Sequence, residues 1–570
     1  MRFHTFALVA SATVLVTTVG AEPVAATPAS VEYYRVAPSF VAETINAQGF
    51  VTGFTAPNPW GQYTAYIMST NARGQRTWRI EHDLPNPDGK TAQGSSIYLL
   101  EGRDRALLID TGNPSKHTAG VDDLKSVVRF LLGHDNTGQP IAHPLDFVVA
   151  NTHSHGDHIG ENGEFSDRTI YYMDLDWPEA APANYAPIRE NGGQTAHGSG
   201  TAVGEIDLGD RTVKAIAMPP HTPGSTGYLD TDNQMLFSGD ALGSGYVWLQ
   251  WAPIGVYQTS VHHVLDVVKT YPDLKVFGAH FYQYRQGKRA EPPVNGRPAD
   301  LQYVRDEAAA ADELLSGKAI GVPYFWRPNS YIAGHGSGQI VYSLDNLYAT
   351  GMTPTAPYHA VQLHGDDAPA SLAGLKANLF LITGPHGESL YLLKGSKKAL
   401  LIGTGSGAPG LKAFLKPLVG GRPLTVVLTD SSPDQTGGLR QLHPAAVYRP
   451  GGKHPSSVDL GADLAGQPMR AEFIRFGSDL SVIQASNKIA FVGDRLGGSN
   501  PAKAWAPKEG LSAYRSELIR WDSKTHGRYV SLYTGHSVNY STPPSLTEDT
   551  LKAADAAIAG GASTITVAPH

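Results

Sequence analysis

The stretch NTHSHGDHIG, residues 151–160, constrains the fold of this chain more than any other part of the sequence. The apolar run LDFVVA comes directly before it and is typical of a buried strand. Side chains that can bind a metal ion follow at once, and they are His153, His155, Asp157 and His158. A lone histidine is more often a core residue, but four polar side chains at one strand end do not fit that interpretation. Because zinc accepts imidazole and carboxylate ligands, the pattern predicts a metal site at the end of a strand.

Length and composition predict more than one globular domain. At 570 residues the chain is too long for a single hydrophobic core. Its 62 Gly and 40 Pro favour a loop-rich fold with strands over a helical bundle. The net charge is -7, and no basic run offers the positive surface that nucleic acid needs. We therefore expect a small-molecule substrate and no nucleic-acid partner.

The N-terminus has the pattern of a secretory signal peptide. Arg2 precedes an apolar run, and small residues end at Ala21, which predicts a signal peptide over residues 1–21. A retained N-terminal anchor is the alternative, although the run is short for a membrane span. We expect a secreted or periplasmic protein with no stable membrane anchor after cleavage. The chain has 0 Cys, which excludes disulfides and thiolate ligands, so a metal must rest on His, Asp and Glu.

The rest of the chain divides into two similar α/β regions. Residues 22–75 are predicted as an irregular, aromatic-rich lead-in. Strand and helix patterns then alternate over residues 76–317, which is typical of an α/β domain with layered sheets. A Pro- and Gly-rich linker is predicted over 318–357, and a second domain over 358–570.

The second region repeats motifs of the first in the same order. SIYLLEGRDRALLIDTG, residues 96–112, is matched by SLYLLKGSKKALLIGTG, residues 389–405. Further along, VVANTHSHGDHIG is matched by VVLTDSSPDQTGG, NQMLFSGD by NKIAFVGD, and VFGAH by LYTGH. We interpret this as a tandem duplication, whose period is far too long for a solenoid.

Three more candidate ligands follow apolar runs in the first region. They are His221 in HTPGST, Asp240 in FSGD and His280 in FGAH, and each is placed to project from the same edge of a sheet. The ordered set resembles the metallo-β-lactamase superfamily of dinuclear metallohydrolases, as do the motifs LLIDTG and HTPGSTG. The resemblance implies an α/β fold, a four-layer αβ/βα sandwich in two tandem copies, with the site at one edge.

By position, the resemblance assigns a role to each candidate ligand. The first metal would be held by His153, His155 and His221. The second would be held by Asp157, His158 and His280. Asp240 would bridge two zinc ions, and Asp110 of LLIDTG would hydrogen-bond a ligand and fix its orientation. Such a centre lowers the pKa of bound water toward neutrality, and Asp157 would orient the nucleophile and move its proton.

The second copy lacks most of these ligands. At the positions of His153, His155, His158 and Asp110 stand Asp430, Ser432, Gln435 and Gly403. The candidates that remain are Asp434, Asp494 and His536, which are poor in imidazole for a tight dinuclear site. We expect a structural lobe without catalysis, with a weak independent metal site as the alternative.

Aromatic residues after Asp240 give the only indication of the substrate. Tyr246, Trp248 and Trp251 fall on a loop that leaves the site, and Tyr246 resembles a tyrosine that helps to polarise the carbonyl in lactonase-like relatives. The alternative is that these aromatics pack against the lead-in or the second domain. We expect a secreted dinuclear zinc hydrolase acting on a small ester, lactone or amide with an apolar portion.

Other functions remain open on the same scaffold. A phosphodiesterase or alkylsulfatase would need an Arg or Lys cluster to hold its anion, and Arg285 is one candidate. An iron-dependent oxidoreductase is possible because imidazole also suits iron. A non-enzymatic binding protein is favoured only by the degenerate second copy.

Overall fold

The structure is a computed structural model, and it describes most of the chain from residue 63 onward. The described residues are 33–34, 42–43, 63–85, 91–114, 123–135, 139–177, 181–196, 200–243, 246–280, 299–324, 330–347, 357–364, 378–463, 466–496, 505–536 and 545–567. The predicted signal peptide, most of the lead-in and Arg285 lie outside these ranges. No helix within them is long and apolar enough to cross a membrane.

The first half of the described chain contains two large sheets and a small one. The nine strands of the first sheet are β1 Tyr33–Tyr34, β2 Ala42–Glu43, β3 Tyr63–Thr70, β4 Arg76–Pro85, β5 Thr91–Glu101, β6 Arg105–Ile109, β7 Asp146–Ala150, β8 Ile170–Tyr172 and β9 Tyr185–Pro187. The strands that follow are β10 Gly193–Gln194, β11 Thr201–Ala202, β12 Glu205–Asp207, β13 Thr212–Ala217, β14 Thr226–Asp230, β15 Met235–Gly239, β16 Val247–Leu249, β17 Lys275–Gly278 and β18 Ala299–Asp300. The helices are α1 Leu124–Gly133, α2 Gly156–Ile159, α3 Ile254–Val268 and α4 Leu301–Leu315.

Two sheets of this half pack face to face between layers of helices. The first sheet has the order β2-β1-β3-β4-β5-β6-β7-β8-β9, and the second has the order β12-β13-β14-β15-β17-β18. Ile109 and Ala150 of the first sheet share an apolar core with Tyr228 and Phe237 of the second. Buried leucines and valines of α1 cover the outer face of the first sheet, and α3 and α4 cover the outer face of the second. The predicted αβ/βα sandwich is confirmed for this half of the chain.

The second half contains the same layers in the same order. Its strands are β19 Ile320–Pro323, β20 Tyr331–His335, β21 Gly338–Tyr342, β22 His359–His364, β23 Leu379–Thr383, β24 Ser389–Lys394, β25 Ala399–Ile402, β26 Leu424–Val427, β27 Ala446–Tyr448, β28 Ser457–Ala462, β29 Pro468–Phe476, β30 Asp479–Gln484, β31 Ile489–Phe491 and β32 Ser531–Tyr533. Its helices are α5 Leu344–Leu347, α6 Leu411–Val419, α7 Pro433–Thr436, α8 Leu511–Thr525 and α9 Ser545–Ala559.

Strand order and direction in this half follow those of the first. Strands β23 to β27 pair in sequence, two antiparallel pairs followed by two parallel pairs, as β4 to β8 do. Strands β28 to β32 form a sheet of three antiparallel pairs and one parallel pair, as β12 to β15 and β17 do. Helix α6 covers one outer face, and α8 and α9 cover the other.

Two stretches differ from the prediction of irregular structure. Within the lead-in, Tyr63, Ala65 and Ile67 are buried because β3 extends the first sheet beside β4. Residues 318–357, predicted as a linker, contain β19, β20, β21 and α5 instead. The prediction of a linker is wrong for these strands because their alternate residues, among them Tyr331 and Ile340, are buried in the core around α3 and α4. Gly336 lies in the turn between β20 and β21, whereas Gly321 and Gly334 lie within strands.

The same stretch joins the two halves into one sheet. The ten-stranded sheet has the order β16-β21-β20-β19-β22-β23-β24-β25-β26-β27. Its first strand, β16, belongs to the first half of the chain and pairs parallel with β21, with Trp248 opposite Val341. The loop that follows Asp240 is therefore part of a sheet that continues into the second half of the chain. We call the two halves the first lobe and the second lobe.

Candidate metal centre

The His cluster begins where β7 ends. Strand β7 is buried up to Ala150, and residues 151–155 form a short loop before α2 turns the chain back. This turn brings Asp157 and His158 to the same side as His153. His153 and His158 are buried, whereas His155 is exposed and Asp157 is half-buried. One strand end thus presents the four predicted side chains at different depths.

The remaining three candidates reach the same edge from the second sheet. His221 lies in the loop after β13. Asp240 directly follows β15, and His280 is the second residue after β17. The seven side chains form two groups in which the ligand atoms lie within 4.8 Å of one another. One group is His153, His155, His221 and Asp240, and the other is Asp157, His158, His280 and Asp240. Asp240 belongs to both groups.

The Asp240 carboxylate lies between the histidines of the two groups. Its Oδ2 is 3.4 Å from Nε2 of His221 and 3.5 Å from Nε2 of His158. Its Oδ1 is 3.2 Å from Nε2 of His280, and that nitrogen is 3.5 Å from Oδ2 of Asp157. Nδ1 of His155 is 3.1 Å from Nε2 of His221. A carboxylate surrounded by imidazole nitrogens in this way can bridge two cations.

The ring nitrogens that face away from the centre contact other groups. Nδ1 of His158 donates to Oδ2 of Asp110 at 2.8 Å. Nδ1 of His221 donates to the carbonyl oxygen of Trp248 at 3.1 Å, and Nδ1 of His153 lies 3.1 Å from the Thr152 hydroxyl. Such contacts fix the tautomer and orientation of imidazoles that bind a metal. The predicted contact of Asp110 with a candidate ligand is present.

An unsatisfied histidine nitrogen at the centre fits the role of a metal ligand. Among the described residues, Nε2 of His153 is a buried polar atom without a hydrogen-bond partner, and its nearest carboxylate oxygen, on Asp240, is 3.9 Å away. Buried polar atoms in proteins are normally satisfied. Two groups, each of three imidazole or carboxylate side chains plus a shared carboxylate, match the ligands that zinc prefers. The residues present therefore fit two metal ions.

The shared environment shifts the pKa values of the candidates in opposite directions. Burial, followed by the nearby His158, holds the pKa of His153 well below its usual range, so His153 is neutral and able to bind a metal. Burial also lowers the pKa of His158, but the Asp240 and Asp110 carboxylates outweigh it and raise the pKa well above its usual value. Burial alone would raise the pKa of Asp240, yet His280 and His158 hold it well below its usual range.

Two polar residues at the centre were not anticipated from the sequence. The Ser95 hydroxyl donates to Oδ2 of Asp157 at 3.2 Å. Oδ2 of Asp176 accepts from the backbone N–H of Ser154 at 3.0 Å and from the hydroxyl of Thr222 at 2.7 Å. Asp176 therefore connects the loop of His153 and His155 to that of His221. Ser95 and Asp176 both lie outside the sequence motifs that contain the candidate ligands, so no motif indicates them.

The aromatic residues after Asp240 form a wall beside the centre. The ring centroids of Tyr246 and Trp248 lie 5.8 Å and 5.4 Å from that of Tyr324, and Trp248 lies 6.3 Å from Trp251. Burial, the Tyr324 hydroxyl and the Asp240 carboxylate all raise the pKa of Tyr246. Tyr246 therefore stays protonated and acts as a hydrogen-bond donor. Tyr324 comes from the stretch predicted as a linker.

The second lobe brings its remaining candidates together without the others. Nε2 of His536 lies 3.0 Å from Oδ2 of Asp434, and its Nδ1 lies 3.1 Å from Oδ1 of Asp494. The hydrogen bond with Asp494 raises the pKa of His536, which favours an imidazolium between two carboxylates. Gln435 is buried where the first lobe has His158. The ligand atoms of Asp434, Asp494 and His536 also lie within 4.8 Å of one another, close enough to hold a metal ion.

Comparison with known proteins agrees with this geometry. The sequence profile of the metallo-beta-lactamase superfamily matches residues 91–280. The Beta-lactamase-like protein 2 homolog of Caenorhabditis elegans is 29% identical over 186 residues, which cover 32% of this chain and 56% of that protein. Acyl-coenzyme A thioesterase MBLAC2 of Gallus gallus is 26% identical over 216 residues, covering 33% and 73%. The solved metallo-beta-lactamase from Erythrobacter litoralis is 14% identical and covers 45% and 98%, with a TM-score of 0.30.

Residues 91–280 of the chain are similar to the metallo-beta-lactamase superfamily. The match spans little more than half the length of the Caenorhabditis elegans relative, at 56%.

Proposed function

We propose that this protein is an exported dinuclear zinc hydrolase that cleaves a small carboxylic ester, lactone or amide with an apolar portion. The observation that carries the proposal is the pair of four-ligand groups sharing Asp240, beside a wall of aromatic side chains. His153, His155 and His221 would hold one ion, and Asp157, His158 and His280 the other.

Two bound zinc ions supply Lewis acidity and a water that is acidic enough to react at neutral pH. Asp157 is the residue placed to handle protons, because it is half-buried and within reach of Ser95 and His280. It takes a proton from the attacking water and returns one to the leaving oxygen or nitrogen as the bond from the carbonyl carbon breaks. Tyr246 keeps its proton and donates a hydrogen bond to the substrate carbonyl.

Within the part of the chain that the structure describes, the surroundings of the centre favour an uncharged substrate over a phosphodiester or sulfate ester. The main charged neighbours that shift the pKa values of His153, His221 and Asp240 are other histidines and aspartates. A phosphate or sulfate group is normally held by Arg or Lys. Aromatic rings instead supply a large apolar surface, which suits an acyl or aryl group.

A thioester is a second candidate substrate. The Gallus gallus relative is named an acyl-coenzyme A thioesterase. An acyl thioester also presents a carbonyl carbon beside an apolar chain, so the same centre and the same wall would serve it.

Metal analysis and a substrate panel test the proposal together. We expect nearly two zinc per chain, and chelator-sensitive turnover of an aryl ester, a lactone, an amide or an acyl thioester in preference to a phosphodiester and an alkyl sulfate. Replacing Asp157 and His158 together by alanine removes one metal and most activity. The matched control is Asp434→Ala with Gln435→Ala, at the aligned positions of the second lobe. Stoichiometric iron, or no turnover of any carbonyl substrate, contradicts the proposal.

We propose further that the two lobes arose by tandem duplication and that the second has become structural. The recurring strand order and the aligned motifs support this. Export is proposed from the pattern of residues 1–21 alone, and mass spectrometry of the N-terminus of the expressed protein tests it.

A further inference from the structure

Tyr324 reaches the aromatic wall beside the metal centre from a different part of the chain. It follows β19 directly, and its side chain is only 8% exposed. Its ring lies against Tyr246 at 5.8 Å and edge-on to Trp248 at 5.4 Å, with an interplanar angle of 75° for the latter pair. Trp251, which is 64% exposed, continues the aromatic surface outward. One face of the candidate site is thus built jointly by the first lobe and the stretch between the lobes.

The ten-stranded sheet holds these rings in place. Trp248 lies on β16, three strands away from β19 in that sheet. The Ser343 hydroxyl donates to the carbonyl of Gln250 at 3.0 Å, and the Asn346 amide donates to that of Leu249 at 3.2 Å. The aromatic wall therefore rests on paired strands, which are more rigid than a surface loop.

The hydroxyl groups of the two tyrosines also interact. After burial, the adjacent Tyr324 phenol and the Asp240 carboxylate both raise the pKa of Tyr246, so both lie near its hydroxyl. A phenol has one proton to donate, so the group that pairs with Tyr246 decides where that proton points.

We infer that Tyr324 is a positioning and specificity residue of the hydrolase site. Its hydroxyl aims the hydroxyl of Tyr246, and its ring forms with Trp248 the surface on which the apolar portion of the substrate lies. For turnover the inference rests on the proposed function. The binding of an apolar ligand to the wall does not depend on it.

A double-mutant cycle tests the positioning role. Tyr324→Phe keeps the ring and removes the hydroxyl, and we expect kcat to fall roughly 2- to 10-fold with KM little changed. If Tyr324 acts through Tyr246, the effect disappears when Tyr246→Phe is already present. Tyr358→Phe, which removes a hydroxyl that donates to the Ala408 carbonyl in the second lobe, is the control and leaves kcat unchanged. Additive effects of the two substitutions contradict the positioning role.

Calorimetric binding of phenylacetate and acetate to the zinc-loaded protein tests the specificity role without catalysis. We expect phenylacetate to bind roughly 2- to 10-fold more tightly than acetate, and Tyr324→Ala to abolish that preference while zinc content and acetate affinity stay the same. Equal affinity for the two carboxylates in the unchanged protein, or a preference that survives Tyr324→Ala, overturns this role. If no substrate is hydrolysed but the preference for phenylacetate is present and depends on Tyr324, the proposed function is wrong. The role of the aromatic wall in binding an apolar group is then still confirmed.

Discussion

Asp176 shows how a residue outside the ligand set supports the metal centre. Its two carboxylate oxygens accept hydrogen bonds from Ser154, Thr222 and Gly224. The first of these lies between His153 and His155, and the second follows His221. A single side chain thereby sets the separation of three candidate ligands of one ion.

Replacing Asp176 should weaken the first metal group selectively. We expect Asp176→Ala to lower zinc affinity at one site roughly 10- to 100-fold, as is typical when a group supporting a ligand is lost. Asp176→Asn, which keeps one acceptor oxygen, should retain part of the affinity. Titration with a competing chelator measures both. Asp167→Ala, at an exposed carboxylate, serves as the control, and equal zinc retention in Asp176→Ala and Asp167→Ala would show that the link is dispensable.

A buried carboxyl group between α3 and α4 makes stability depend on pH. Glu307 is fully buried and accepts from the backbone N–H of Gln339 at 2.7 Å and from the hydroxyl of Tyr257 at 3.0 Å. Burial raises its pKa to about 8. The folded protein holds this proton more tightly than the unfolded chain, so the stability it contributes is present at low pH and is lost as pH rises through about 8.

Chemical unfolding at several pH values should reveal this group. Between pH 7 and 9 we expect the free energy of unfolding to fall by about 1 kcal/mol because of Glu307. In Glu307→Gln, which is uncharged at every pH, this part of the decline should be absent. The exposed Glu205→Gln is the control and should decline as the unchanged protein does. An identical pH profile for Glu307→Gln would disprove the assignment.

Strand β16 is the element that links the metal centre to the rest of the molecule. Three residues long, it pairs with β21, and its middle carbonyl, on Trp248, accepts the hydrogen bond of His221. The sequence places these residues on a loop, and nothing local indicates a strand whose partner is far along the chain. The orientation of one candidate ligand thus depends on a sheet completed by later residues.

Loosening β16 should affect the metal centre more than overall stability. Asn346→Ala removes an amide that donates to the carbonyl of Leu249, at a cost of about 1 kcal/mol in the free energy of unfolding. Asn184→Ala removes a similar donor to the carbonyls of Phe165 and Arg168, and it is the matched control. We expect comparable losses of stability in urea but faster zinc release only in Asn346→Ala. Equal zinc release rates in the two variants would show that β16 does not support the metal centre.

At the scale of the whole molecule, the two lobes share an architecture and differ in charge chemistry. Where the first lobe gathers imidazoles around Asp240, the second places His536 between Asp434 and Asp494. Asp494 raises the pKa of His536, which favours one positive charge between two carboxylates at the edge where we propose metal ions in the first lobe. The second lobe therefore has a similar strand order without the other histidines.

Replacing the two aligned histidines by alanine should show whether the lobes differ in metal binding. We expect His280→Ala to lose about one zinc equivalent. His536→Ala, at the aligned position, should keep the full metal content and lose only stability, because it leaves two carboxylates without their cation. Elemental analysis of both variants decides the matter, and loss of a full equivalent in His536→Ala would show that the second lobe binds metal.

The amino-acid sequence by itself determined the layered fold of both halves and the seven candidate ligands. Buried strands and amphipathic helices such as α1 have local periodicity, and ligands placed directly after apolar runs converge because strand ends meet at one edge of a sheet. Only the tertiary structure decided the roles of Asp176, Tyr324 and β16. Their contacts join residues far apart in the chain, through single hydrogen bonds and ring packing, and such contacts leave no periodic or motif signal in the sequence.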